Sequence, residues 1–160
     1  MSSPSKTSSH AVIAPAVLAL GLCGLMASNL PRIWQSDVYA RGAGWLFLIW
    51  LIPLVITIVR KVRQGTWHPD FLLLVLSLLA CIVGVLGSLN IARHVAFGLA
   101  LGGQAAPSIW KWFWLAGMLS WLPATGWLAR DIPGNGWILR SAILLLSIAA
   151  SINWWKGNRS

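Results

Sequence analysis

Twelve Lys and Arg side chains stand against three carboxylates in this 160-residue sequence, and the scarcity of acids bounds its chemistry. The acids are Asp37, Asp70 and Asp131, all in polar segments, and Glu is absent. General acid–base catalysis by paired carboxylates has no pair to use inside an apolar site. Of the three histidines, His10 lies in the Ser-rich N-terminal stretch, His68 in Trp67-His68-Pro69-Asp70, and only His94 within an apolar block. One such imidazole is too few for a bis-histidine haem, and a structural metal site needs about four ligands. His68 with Asp70 comes nearest to a metal pair and reads as the turn that starts a helix. No metal and no cofactor is expected. The chain also lacks a Gly-rich phosphate loop and a Gly-x-Ser-x-Gly elbow. No catalytic residue is assigned.

Arg93-His94 is the pair that invites a site, because ionisable side chains inside apolar segments are costly and tend to be functional. Arg93, His94, Arg130 and Arg140, with Arg32 and Arg41, define a candidate basic rim that would bind an anionic group. The competing reading puts Arg93 and Arg140 near helix ends, with the stems buried and the guanidinium groups snorkelling to water. Cys23 and Cys81 sit in Leu-Cys-Gly and Ala-Cys-Ile contexts within apolar blocks. A thiol there behaves as a small hydrophobe, and two do not make a disulfide framework.

The elements that must position these residues follow from composition. Charged residues make up 9% and hydrophobic ones 58%, with a mean hydropathy of +0.74. A soluble domain carries roughly 25% charged residues. The apolar blocks approach the ~20 residues that cross a hydrocarbon core as a helix. The sequence therefore predicts an all-α, polytopic transmembrane bundle whose first partner is the lipid bilayer. The net charge of +9 resides in short segments between apolar blocks, where it anchors and orients spans. That distribution argues against nucleic acid.

A single helical domain is expected over 11–155, between a disordered tail at 1–10 and a short tail at 156–160. The first block lacks an Ala-x-Ala cleavage site and reads as a signal anchor, and Leu22 before Cys23 is too large for a lipid-modified cysteine. Spans are expected near 11–29, 45–59, 71–87, 90–105, 110–128 and 137–155, with Pro31 closing the first and Pro53 kinking the second. From Phe71 to Ala106 the chain is apolar almost without a break, too long for one helix at about 1.5 Å per residue. Gly87-Ser88-Leu89-Asn90 is the natural hairpin.

Charge counting separates six spans from the five that one long helix would give. With Arg93 and Arg140 set aside as lying within helices, six spans put Lys6, Arg60, Lys61, Arg63, Lys111, Lys156 and Arg159 inside and Arg32, Arg41 and Arg130 outside, 7 to 3. Five spans give 5 to 5. Six spans with both termini cytoplasmic, in a bacterial inner membrane, are preferred.

Trp45, Trp67, Trp110, Trp137 and Trp154-Trp155 flank the proposed span ends as an interfacial belt. Trp110, Trp112 and Trp114 crowd one end of the fifth span and read as belt rather than as an aromatic cage. Ala92, Ala96 and Ala100 recur every four residues, with Gly98 and Gly102 on a neighbouring stripe. Such small-residue faces let helices approach closely in lipid, within the chain or against partner subunits.

From Leu30 to Arg63, a Trp is followed by Asp37-x-Tyr39, then Gly42 to Gly44 and an apolar span closing on basic residues. This stretch, with the run from Gly84 to Gly103, resembles the front half of the exosortase and archaeosortase family, membrane enzymes that sort and anchor surface proteins. The resemblance implies a multi-spanning helical fold. That family's active site needs an Ala-Cys-Ser-Gly-type motif and later Arg or His residues, and this sequence has no such motif. The expectation is a small non-catalytic accessory or structural subunit of a membrane complex. An exosortase-like sorting protein and a small transporter or channel are the alternatives.

Overall fold

The computed structural model describes residues 7–104, 110–132 and 136–157, without the side chains of 7–12, 110, 154, 155 and 157. The side chains of the belt residues Trp110 and Trp154-Trp155, and most of both expected tails, lie outside that description. Among the described residues every regular element is helical. The elements are α1 (Thr7–Met26), α2 (Leu30–Ser36), α3 (Ala43–Arg63), α4 (Phe71–Leu86), α5 (Asn90–Gly102), α6 (Trp110–Ala116), a 3-10 turn (Gly117–Ser120), α7 (Pro123–Leu128) and α8 (Trp137–Gly157). Two segments, Ile13–Ser36 and Ala43–Arg63, are long and apolar enough to cross a membrane, and Phe71–Leu86 and Trp137–Asn153 are shorter apolar helices.

The expected hairpin is present. α4 ends at Leu86 and α5 starts at Asn90, with Gly87 N–H donating to Val83 at 2.9 Å and Leu89 N–H to Gly84 at 2.9 Å. The two helices pack closely, and α1 lies across both. Cys23, Cys81, Ala96 and Ala100 form the buried seam of this trio. On the other side, α6 and its 3-10 turn pack on α8, and α3 contacts both.

Two segments and one tryptophan depart from the sequence expectation. Residues 30–44, expected as a polar linker, contain α2. Pro31 starts that helix rather than closing the previous one, because proline's missing N–H costs nothing in a first turn. The fifth block is broken, since Leu122 is held extended (φ −63°, ψ 133°) by the following Pro123, which opens α7. Trp114, given to the belt, is wholly buried and stacks on Trp50 with centroids 4.2 Å apart.

That Trp pair carries the core. Each indole N–H donates to the other residue's carbonyl, at 2.9 Å from Trp50 and 3.2 Å from Trp114. A buried indole that satisfies its donor keeps its large apolar area without an unpaired polar atom. Trp121, Phe47 and Trp34 extend the cluster, with Trp121 edge-on to both. Phe47 meets Phe97, which ties the α1–α4–α5 trio to the rest.

Candidate functional site

The buried charged side chains of the bundle and His94 lie toward its two ends, while Ser77 and Ser147 are buried mid-helix and bond locally. At one end Asp70, just before α4, forms an ion pair with Lys111 of α6. They are only 6% and 5% exposed. Asp70 Oδ1 also accepts the Leu73 N–H at 3.4 Å, capping α4, while the Asp70 N–H donates to Gly103 at 2.6 Å. Trp67 Nε1 donates to Gln104 at 2.8 Å, and the Gln104 amide reaches Ala16 of α1 at 3.3 Å. One cluster thus fastens the middle of α1, the end of α5 and the starts of α4 and α6.

At the opposite end, His94 is 1% exposed and its Nε2 lies 3.0 Å from Asn29 Oδ1, beyond the end of α1. Trp34 of α2 donates to Trp121 at 3.1 Å, and Arg140 Nη2 of α8 donates to Leu122 at 3.2 Å. These two side chains take the carbonyls exposed where the fifth block breaks. Trp127 Nε1 donates to Asp37 Oδ2 at 2.7 Å, and the Tyr39 N–H donates to Asp37 Oδ1 at 2.8 Å. α2 therefore runs across this end and joins α5, α7 and the loop before α3.

The four residues of the expected rim share this end but have different partners. Arg93 donates from Nε to Gly84 at 3.0 Å, folding back on the end of α4. His94 meets Asn29. Arg130 is exposed beside Asp131, 3.7 Å away. Arg140 is 1% exposed and points inward, with Nε lacking a hydrogen-bond partner, so it does not snorkel.

Elsewhere, His68 is exposed and its Nδ1 bonds to Thr66 at 2.9 Å, a local turn contact. Among the described residues, no three His, Cys, Asp or Glu come together as a metal site would require. Cys23 and Cys81 are both buried, which removes them from attack on an external substrate.

The Asp70–Lys111 pair is the buried charged contact that sequence reasoning missed. Its traces are an Asp before an apolar run, which is a helix-cap signal, and a Lys between two Trp. Nothing in the spacing couples position 70 to position 111.

The small residues of α5 also find their partners within the chain. Ala96 and Ala100 are buried against Cys23 and Cys81, and a Cβ on Gly98 would lie 2.9 Å from Met118 Sδ and 3.4 Å from Trp121. An apolar groove remains open between α6 and α8. It has a volume of about 520 Å³, and Ala116, Gly117, Ala149 and Ala150 keep it shallow-walled between Phe113 and Leu146.

The chain matches no protein-family model, no curated protein and no solved structure. The class in view is an all-helical bundle with two segments able, by length and composition, to span a membrane.

Proposed function

We propose that this chain is a six-pass inner-membrane protein with both termini cytoplasmic, acting as a small non-catalytic accessory subunit of a membrane complex. The observation that carries the reading is an inverted distribution of polarity. Leu18, Leu25, Leu86, Ile138 and Leu146 are each more than 70% exposed, while Asp70, Lys111, His94 and Arg140 are buried. Water would reject that surface and hydrocarbon would accept it. The best windows of the two long apolar segments are only 28% and 33% buried, unlike the core helices of a soluble globule. The contacts of Asp70, Lys111, His94 and Arg140 also fall at helix ends that alternate along the chain, which supports six antiparallel crossings. α5 has 13 residues, about 20 Å, so its crossing needs a locally thinned bilayer or the flanking turns.

The subunit role draws on the groove between α6 and α8. In lipid, helix association depends on close packing, and small residues permit it. A partner's transmembrane helix is the occupant this role requires. Purification of the tagged full chain in a mild detergent tests it, with a stable stoichiometric complex as the expected result. A lone monomer would overturn the subunit role. Co-recovery of a surface protein carrying an uncleaved sorting segment would favour the exosortase-like alternative.

A transporter is the second reading, and the buried Asp70–Lys111 pair together with the helix break at Pro123 favours it. Buried ion pairs and discontinuous helices mark substrate and ion paths in membranes. Flux in proteoliposomes that disappears in Asp70→Asn is its signature.

A further inference from the structure

The last two turns of α3 build a surface recess that none of the readings above uses. Its floor is apolar, formed by Val55, Ile56 and Val59, each about half exposed. Arg60, Arg63 and Gln64 form its polar end, and the recess has a volume of about 450 Å³. Residues 56, 59, 60 and 63 follow helical spacing and so share one face. The recess is therefore graded along the helix axis from hydrocarbon-like to cationic.

The charge here is uncompensated. Among the described residues, carboxylates meet cations in two ion pairs, Asp70 with Lys111 and Asp131 with Arg130, and neither involves α3. Asp37 accepts from Trp127 and Tyr39 at the other end of the bundle. Two guanidinium groups three residues apart on an exposed face match the oxygens of a phosphodiester, which each can engage as a two-pronged donor. A partner for this recess needs an anionic head and a flexible apolar tail side by side. An acidic peptide lacks the tail, and free phosphate leaves the Val55–Val59 floor uncovered.

We infer that the recess holds one anionic phospholipid, with an acyl chain along Val55, Ile56 and Val59 and the phosphodiester between Arg60 and Arg63. The inference rests on the membrane-spanning reading of α3 and sharpens it. The cationic end of α3 becomes a headgroup clamp as well as an orientation signal, and Gln64 adds an uncharged amide beside the phosphate.

The test uses the full chain in mild detergent, equilibrated with equal amounts of phosphatidylglycerol and phosphatidylcholine, and retained lipid is counted by native mass spectrometry. Wild type is expected to retain one phosphatidylglycerol in preference to phosphatidylcholine. Each guanidinium near a headgroup is worth about five-fold in affinity, so Arg60→Gln/Arg63→Gln is expected to lose roughly 25-fold. Arg60→Lys/Arg63→Lys should fall between, keeping the charge and losing the fork. Lys156→Gln, at an exposed position of α8 outside the recess, should bind as wild type. Excess inorganic phosphate should leave the lipid in place.

Equal retention of the two lipids, an unaffected Gln variant, or an equal loss in Lys156→Gln would each overturn the site. Displacement by phosphate would reassign it to a free anion. Failure of the clamp in a protein that still needs detergent for extraction leaves the membrane bundle standing. Release into alkaline buffer without detergent removes both.

Discussion

A buried ion pair is a poor source of net stability but a strong constraint once present. Asp70 and Lys111 are both dehydrated, so removing one partner leaves the other as an uncompensated charge. Lys111→Met is expected to cost about 3–5 kcal/mol in denaturant unfolding in detergent. Asp70→Asn/Lys111→Met retains an oxygen for the Leu73 N–H and should recover most of that loss. A double variant destabilised by the sum of the two single losses would show that the two charges are not coupled. The rim arginines sort by the same logic. Arg140→Ala removes a donor and leaves a cavity, for an expected loss of about 2–4 kcal/mol. Arg130→Ala, at an exposed site, should stay within about 0.5 kcal/mol. Arg93→Ala should lower protein level by loosening the hairpin, whereas an anion-binding rim would lose activity at unchanged level.

At the scale of elements, close approach between helices decides which glycines matter. Gly117 lies where the 3-10 turn meets α8, and a Cβ there would press on Ser147 and sit 2.9 Å from Trp50 Cδ1. Gly117→Ala is expected to cost about 1–3 kcal/mol through overpacking. Gly21 sits within α1 with nothing near its would-be Cβ. Gly21→Ala should gain up to about 1 kcal/mol from helix propensity alone. Thermal unfolding of the two variants side by side measures the contrast, and equal effects would contradict the packing of α8 on the turn. The hairpin between α4 and α5 was legible because Gly, Ser and Asn interrupt a long apolar run. α2 was not legible, because seven residues with two charges or amides give little periodicity and Pro31 suits either the end or the start of a helix.

For the whole molecule, the six-pass reading makes a labelling prediction. With Cys23 and Cys81 replaced by Ala, single cysteines at Ser36, Ser88 and Asp131 should react with an impermeant maleimide from one side of the membrane. A cysteine at Gln64 should react from the other. A layout with five crossings puts Asp131 on the side of Gln64, so that one position decides the count. The exposed apolar girdle and the buried polar ends have one physical origin. In lipid the backbone must satisfy itself within helices, and charged side chains are driven to partners or to the interface.

Composition alone determined the helical class and the preference of this chain for an apolar surrounding, because both depend on how many polar groups exist to meet water. Local punctuation determined the turn at Gly87 to Asn90 and the start of α4 at Asp70. Tertiary structure decided which of the tryptophans form a core: Trp50 and Trp114 stack although Trp114 sits in the same Trp-rich run as the half-exposed Trp112. It also decided that Lys111 pairs with Asp70 and that Arg140 turns inward to Leu122. Such choices depend on which helix faces meet across gaps of 18 to 64 residues, and a one-dimensional pattern carries the period of each face but not the identity of its neighbour.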